Sequence, residues 1–380
     1  VTELQPIGLR RVAELGLARD GLVSLAAPSQ SRVPVVIETD EGAYRFECPS
    51  NGVILYEALC AGIPLAYSCA TGTCGTCAVR VLDGSVTNLW PEAPGLPPSA
   101  RGLVLACQSG ACVPVRLRGS VSSSSGRRSS FAPRYLTGGI AQFTWSAPGV
   151  TEMWLQLDLR LTFTPGQYIL VWFPGVQGPR ALSVANTERA PLTRVRLFVR
   201  PRNGSALHAL LRSARPEGLP LRVFGPLGNA CLDDQAAQGA ITCVAGSTGL
   251  APMLPILSEW VDRSGASTGR LVYGVRSRAD ALALEDLRGI SRRANGRLDT
   301  VIALSEPREG EIQAMQRQLK DFAHVVGAYA HEAVREMLNG ERRDGFAFVA
   351  GPKPMVQATV KTLVLQGGLS AAAIRSDDFG

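Results

Sequence analysis

The chain has 380 residues, 46% of them hydrophobic, and a formal net charge of +7. No uninterrupted apolar run approaches the ~18 residues of a membrane span, and the opening residues lack the basic start, apolar centre and small-residue cleavage site of a secretory signal, so a cytoplasmic chain of about two or three domains is expected. The excess charge is scattered Arg with one short cluster at Arg127 and Arg128, a solvated surface rather than a nucleic-acid or membrane patch; the nine cysteines, an odd count, suit metal or redox chemistry better than a disulfide framework.

Residues 1–32 match no assignable pattern and stand as an N-terminal extension. From 33 to 118, "VPVVIET" and "AYRFECP" alternate apolar and polar residues around a short turn, as a half-buried hairpin does. "VILYEALCAG" has helical spacing and stops at Gly62. A cysteine-rich loop and the strands "AVRVL" and "CVPVRLR" follow, an order that suits a small β-grasp domain. Residues 119–132, with "GSVSSSSGRRSS", read as a flexible linker. Between 133 and 236, short β-like runs separated by Gly and Pro turns predict an antiparallel β-barrel. From 237 to 380, strands such as "ITCVAG", "RLVYGV" and "FAFVAG" alternate with helical stretches, which predicts a parallel sheet covered by helices. The whole is a multidomain chain of α+β and α/β parts.

Cys69, Cys74 and Cys77 form C-x4-C-x2-C, with Cys107 standing 29 residues further on. That opening with a distant fourth cysteine is the plant-type [2Fe–2S] spacing. Two irons need four thiolates from a tightly curled loop; Gly72 and Gly75 permit the curl, and the small Ala70, Thr71, Thr73 and Thr76 let N–H groups approach sulfur. Zinc is the rival occupant, but its sites usually pair two short cysteine motifs. Cys112 is a competing fourth ligand, while Cys48, Cys60, Cys231 and Cys243 read as small buried hydrophobes.

With "YSC" before it and "LACQ" at its end, this constellation resembles the ferredoxin domain of bacterial oxygenase reductases, and residues 33 to 380 resemble the ferredoxin–NAD(P)H reductase family in the same order. The resemblance implies that Cys69 and Cys74 hold the outer iron and Cys77 and Cys107 the inner one. "TPGQYILVWF" followed by Arg180, Ala181, Leu182 and Ser183 resembles the R-x-Y-S flavin motif. Arg180 is then implied to meet flavin phosphate and Ser183 to lie near the flavin N5; Leu182 replaces the Tyr and offers no hydroxyl. "VRPRNGSALHALL" resembles the second flavin segment, implying contacts from Val199, Arg200, Gly204, Ser205 and Ala206, with Leu207 where a hydroxyl residue is common and His208 at the surface. "GSTGLAP" resembles the nicotinamide-nucleotide turn and implies roles for Gly246, Thr248, Gly249 and Pro252. "GPKPM" resembles the motif near the family's C-terminus, implying Gly351, Pro352 and Met355, with Ala350 replacing a Cys; Phe379 matches the aromatic that lies on the flavin. Ser183, Thr248 and Phe379 are the implied catalytic set. In "YGVRSRAD", Arg276 and Arg278 face Asp280 as candidate readers of the coenzyme ribose, with NADH favoured over NADPH.

The resemblance implies an oxidoreductase that moves electrons from NAD(P)H through FAD and a [2Fe–2S] cluster to a terminal aromatic-ring-hydroxylating oxygenase. With three histidines and no C-x-H pair, oxygenation itself falls to another protein. The alternatives are a reductase for a soluble diiron monooxygenase or a sugar dehydratase, or, in a different class, a non-catalytic iron–sulfur carrier.

Overall fold

Three successive stretches of the chain each fold around their own sheet in the computed structural model, which describes residues 31–91, 93–96, 100, 102–121, 131–213, 216–338 and 344–379. The N-terminal extension up to residue 30 and the core of the serine-rich linker, 122–130, lie outside the described residues.

In the first stretch, β1 (Arg32–Thr39) and β2 (Gly42–Pro49) form the expected hairpin. β1 also pairs in parallel with β7 (Val115–Arg118), which continues through β3 (Ala78–Asp83) to β5 (Leu103–Leu105) in antiparallel register. A mixed five-stranded sheet covered by helix α1 (Ile54–Cys60) fits the expected β-grasp. The helix buries Ile54, Leu55, Tyr56 and Ala58 on one face, and the short strands β4 (Val86–Asn88) and β6 (Ser109–Ala111) pair beside its start, where Val53 bridges to Gly110. The linker was expected to begin at residue 119, but Gly119 still donates to Glu38 O and Val121 bridges to Leu65.

The second sheet has the order β11-β10-β13-β8-β9-β12, all antiparallel, from β8 (Arg134–Ala147), β9 (Val150–Leu161), β10 (Tyr168–Trp172), β11 (Arg180–Ser183), β12 (Leu192–Val199) and β13 (Pro220–Leu227). The expected barrel does not close. β11 has only four residues, and beyond it the margin with β12 is held by isolated bonds, from Ala185 N–H to Arg196 O (2.9 Å) and from Arg196 N–H to Asn186 Oδ1 (2.7 Å). Helix α2 (Ala206–Leu211) packs Leu207, Leu210 and Leu211 into this sheet's core.

The third sheet is parallel throughout, ordered β17-β16-β15-β14-β18-β19: β14 (Ile241–Gly246), β15 (Gly269–Val275), β16 (Leu298–Leu304), β17 (His324–Gly327), β18 (Phe346–Pro352) and β19 (Ile374–Phe379). β14 is buried along its whole length, as a central parallel strand must be with helices on both faces. The chain runs outward from β14 to β17 and then returns to β18 on β14's other side. The strand order therefore reverses at the carboxyl ends of β14 and β18, where such sheets bind ligands.

Candidate functional site

The cysteine loop curls because three of its residues adopt positive φ: Ala70 (55°), Gly72 (88°) and Gly75 (79°). Gly72 also has no room for a side chain, since a Cβ there meets Gln108 Cδ at 2.6 Å. Tyr56, fully buried in α1, donates to Ala70 O at 2.7 Å and pins the loop to the helix. Cys107 reaches the loop from the turn between β5 and β6, which is fixed by bonds from Ala106 N–H to Cys77 O and from Leu55 N–H to Ala106 O (both 3.0 Å).

The four sulfurs stand as two pairs. The neighbouring Cys74 lowers the Cys69 pKa against the effect of burial, and Cys107 does the same for Cys77; the Cys74 thiol itself donates to Thr76 Oγ1 (3.3 Å). Backbone groups add to this: Thr71 N–H points at Cys69 Sγ (3.4 Å), Cys69 N–H at Cys74 Sγ (3.5 Å), and Gly72 N–H at Cys107. Cys74 is exposed, while Cys77 and Cys107 are buried. Thiols drawn together on one curled loop, with amide groups aimed at sulfur, suit a two-iron cluster. Cys112 is exposed and turned to Asn51 Oδ1 (2.9 Å), so it is no competitor. Of the cysteines expected to be buried, Cys48, Cys231 and Cys243 are, whereas Cys60 is exposed.

Arg180 opens β11, its guanidinium turned back on the carbonyls of Gln177, Gly178 and Pro179 at 3.0–3.3 Å. Burial and the neighbouring Arg202 lower its pKa, so the site favours an incoming anion. Ala181 is exposed, Leu182 packs on the second sheet's core, and the buried Ser183 lies opposite Tyr168 in the ladder. Val199 is buried at the end of β12; Gly204, at φ 75°, and Ser205 lead into α2. Ser205 Oγ caps the helix through His208 N–H (3.2 Å), and Gly204 N–H is engaged by His208 Nδ1 (3.4 Å), which gives His208 a local structural part. Leu207 is hydrophobic because it belongs to the core. Beside this turn a cavity of about 650 Å³ is lined by Trp145, Arg200, Arg202, His208, Arg212 and Arg276.

The third sheet's contribution is two backbone turns in bare contact. A Cβ on Gly249 would lie 2.1 Å from Ala350 O, and one on Gly246 would lie 2.5 Å from Met355 Sδ. A Cβ on Gly351 (φ 149°) would lie 3.0 Å from Gly246 Cα. Ser247 to Gly249, including Thr248, form a 3-10 turn leading into α4 (Leu250–Arg263; α3 is the short helix Asp234–Gln238), with Pro252 in its first turn. Ser247 Oγ is buried there with no partner. Two closely packed glycine turns, an unpartnered hydroxyl and a helix start suit a dinucleotide's phosphates. Pro352 begins the turn into α8 (Lys353–Leu365), which carries Met355; α5, α6 and α7 are Leu284–Ala294, Glu311–Leu319 and Ala330–Leu338. Phe379 pairs with Pro352 as the last residue of β19 and packs on a core that Val150, Ala185 and Phe198 of the second sheet share.

The coenzyme-reading residues fall differently from expectation. Asp280 is 6% exposed and accepts from Ser277 N–H (3.2 Å) and Oγ (2.9 Å), with Arg276 at 3.3 Å and Arg200 at 3.9 Å. It is a turn cap, not a free acceptor for ribose hydroxyls. Arg278 is bonded to Gln318 Oε1 (2.6 Å), away from the turn, and Arg276 alone of the three lines the cavity. Ser277-x-x-Asp280 is itself a capping-box pattern and could have revealed this. Tyr56, Tyr67, Tyr168 and Arg196 had no such signal, because their partners lie far away in sequence.

The comparisons agree with this geometry. Residues 38–112 match the 2Fe-2S iron-sulfur cluster binding domain and residues 243–361 the oxidoreductase NAD-binding domain. The ferredoxin–NAD(+) reductase component of an alkene monooxygenase system from Xanthobacter autotrophicus is 32% identical over 88% of this chain and 97% of its own length. A ferredoxin–NAD(P)(+) reductase of Metapseudomonas resinovorans is 27% identical over 86% of this chain and 94% of its own. Among solved structures, the ferredoxin reductase in carbazole 1,9a-dioxygenase superposes with a TM-score of 0.77 at 25% identity, covering 92% of this chain and 100% of that one. The chain therefore belongs to the ferredoxin–NAD(P)+ reductase components of oxygenase systems, flavin-dependent oxidoreductases whose cofactors are FAD, NAD(P)H and a [2Fe–2S] cluster.

Proposed function

We propose that this chain takes electrons from NAD(P)H and delivers them, one at a time, to a terminal oxygenase. The observation that carries the reading is the curled loop of Cys69, Cys74 and Cys77, with backbone N–H groups aimed at sulfur and Cys107 tied beside it, in a chain that also packs two glycine turns where the order of its parallel strands reverses. When bound, the flavin splits the two electrons of a hydride into single electrons and the cluster carries them one by one; the protein supplies position and exclusion of solvent.

Each cofactor has its residues. Cys69, Cys74, Cys77 and Cys107 hold the irons, the amides of Thr71 and Gly72 stabilising charge on sulfur. Arg180 and the Gly204–Ala206 turn hold flavin phosphates, and Ser183 places a buried hydroxyl in the flavin site. Gly246, Thr248, Gly249, Pro252 and Gly351 admit the coenzyme diphosphate, with Arg200 and Arg276 as its cationic wall. Phe379 closes the site at the shared core. Functional boundaries near residues 33, 133 and 237 accompany the three sheets, with the first part running on through Val121. All nine cysteines are free, which suits a reducing cytoplasm, and no described helix is long and apolar enough to cross a membrane.

The named relatives serve alkene, xylene/toluene and phenol monooxygenases as well as a naphthalene dioxygenase. The family thus supports an oxygenase partner, with the aromatic-ring-hydroxylating class as one branch and the monooxygenase class as a second that the Xanthobacter relative favours. The test is anaerobic titration with NADH followed by absorbance. Both a flavin band and a cluster band are expected to bleach, and a Cys77→Ser chain is expected to lose the second while still reducing a flavin-level dye. A wild-type chain that binds no flavin contradicts the reading and leaves the iron–sulfur carrier in its place.

A further inference from the structure

We propose that Tyr168 is the positioning residue that fixes the cysteine loop against the flavin-facing strand, so that electrons cross a locked junction rather than a swinging one. The inference rests on the electron-transfer reading above and adds the residue that sets its distance.

Tyr168 is 4% exposed and lies directly opposite Ser183 in the β10/β11 ladder. Its hydroxyl donates to Ser68 O, one residue before Cys69 and 100 residues away in sequence. A reciprocal bond returns from the second sheet: Gly228 N–H donates to Tyr67 Oη at 3.2 Å. Gly228 has φ 100°, and a Cβ there would lie 3.0 Å from Tyr168 Cδ1 and 3.1 Å from Cε1. Glycine at 228 is what lets the chain lie on the Tyr168 ring and still reach Tyr67. Two adjacent residues of the cysteine loop are thus tied to two aligned positions of the second sheet, since Tyr168 pairs with Leu227. Asp377 of β19 lies within charge range of both Tyr168 and Cys69, so the third sheet's last strand closes on the same place.

Burial raises the Tyr168 pKa well above its ordinary value, which keeps the phenol protonated and donating. In the step served, one electron leaves the reduced flavin and one enters the oxidised cluster; no bond forms or breaks and the tyrosine keeps its proton. What Tyr168 supplies is a fixed gap and a bonded path from phenol to Ser68 carbonyl to Cys69. The rate of electron transfer falls steeply as the gap between donor and acceptor widens, so a junction that swings slows the step.

The experiment uses full-length protein loaded with flavin and cluster, mixed anaerobically with NADH, reading flavin and cluster bands in one trace. In Tyr168→Phe the ratio of cluster reduction to flavin reduction is expected to fall severalfold. The cluster step is also expected to become sensitive to solvent viscosity, and amide hydrogen exchange across residues 66–74 to quicken. An unchanged ratio with unchanged exchange overturns the proposal. Should Tyr168→Phe fail to load flavin, Tyr67→Phe breaks the lock from the other side; a lowered ratio there supports the proposal and an unchanged one overturns it. A wild-type chain whose cluster NADH does not reduce overturns the electron-transfer reading and this proposal together, whereas normal wild-type transfer with an unmoved ratio in both variants removes only the role of the lock.

Discussion

The two junctions that hold the three sheets together are built from different chemistry. Between the first and second sheets lies an aromatic seam: Tyr56 packs on Phe224 (centroids 4.9 Å) and edge-on to Trp172 (5.8 Å), and Arg222 covers Trp172 at 4.3 Å. One continuous apolar cluster runs from Val35 to Leu227 across that boundary. Between the second and third sheets, Val150, Ala185 and Phe198 give some apolar contact, but ion pairs are prominent. Arg196 bridges Glu152 and Asp286 (both 2.9 Å), and Arg189 meets Glu259 (3.1 Å) and Asp262 (3.3 Å). A dry aromatic contact holds its geometry across salt concentrations, while partly exposed ion pairs are screened. The difference follows the tasks. Electron transfer needs an unchanging gap, whereas a coenzyme has to enter and leave at the other junction with every turnover.

The largest expected effect breaks the ionic side. In Arg196→Ala, Glu152 and Asp286 lose a cation that is itself 11% exposed, while they remain about three-quarters covered. Discounting the buried-pair range for that partial exposure gives a loss of about 2–4 kcal/mol. It is measured as a shift of the denaturant midpoint of the transition that includes the third sheet, with flavin release as a second readout. Adding Asp286→Asn to Arg196→Ala should restore part of the loss. A midpoint that does not move means that Val150, Ala185 and Phe198 hold this junction and the comparison is wrong.

The aromatic side breaks more quietly. Tyr56→Phe keeps the ring packing and removes only the donor to Ala70 O, leaving a buried carbonyl unpaired at a cost of about 1–3 kcal/mol. Because Ala70 sits in the cysteine loop at φ 55°, the loss should appear there first, as a lower iron content per chain. Iron retention equal to wild type would show that the loop holds its curl without the helix.

What the sequence made legible tracks the distance between partners. The cysteine motif spans nine residues, so its cluster-binding spacing could be read before the fold was known, while the division into Cys69/Cys74 and Cys77/Cys107 came from the resemblance to oxygenase reductases. The glycine turns were equally local. Closure of the second sheet was not, because strand runs show alternation but not which edges meet, and β11 proved too short to complete a barrel. Asp280 shows a different limit: its type suited a ribose, while its nearest partner in the structure is Ser277 in its own turn. Arg278 was drawn away by Gln318 on α6, 40 residues on. The tyrosine lock was invisible because each bond crosses at least 100 residues.

Asp377 tests the place where all three sheets meet. Burial first, then the neighbouring Asp378 and Cys69, raises its pKa to about 7 from an ordinary 3.8. The folded state therefore holds the proton more tightly than the unfolded one. Its stabilising share is full below pH ~4 and is lost as pH rises to ~7, because the charged form is disfavoured where it is buried. A bound anionic cluster acts in the same direction. Allowing for its partly exposed surface, Asp377→Asn should raise stability at pH 8 by about 1–2 kcal/mol relative to wild type and leave it nearly unchanged at pH 4. Parallel melting curves for the two chains from pH 4 to 8 check this; an equal difference at every pH would remove Asp377 as the titrating group.

The smallest effect belongs to the coenzyme side and sharpens what that junction is for. Ser247 has φ 52°, a left-handed conformation that costs a side-chain-bearing residue about 1–2 kcal/mol. Its hydroxyl is buried without a partner, a second penalty in the coenzyme-free chain. Both features lie between Gly246 and Gly249, where the turn packs on bare backbone. A residue strained and unsatisfied at a ligand cradle is explained if the ligand satisfies it. Ser247→Gly should therefore raise stability by about 1 kcal/mol, a rise of a few degrees in Tm, and raise the KM for NAD(P)H about three- to tenfold with kcat little changed. Ser247→Ala separates the two causes, since it keeps the left-handed strain and removes only the hydroxyl. It should match the glycine variant in KM and wild type in backbone strain. A KM unmoved in both variants would show that the hydroxyl meets no coenzyme, and that the strain at 247 serves the contact between the two turns rather than the ligand that enters beside them.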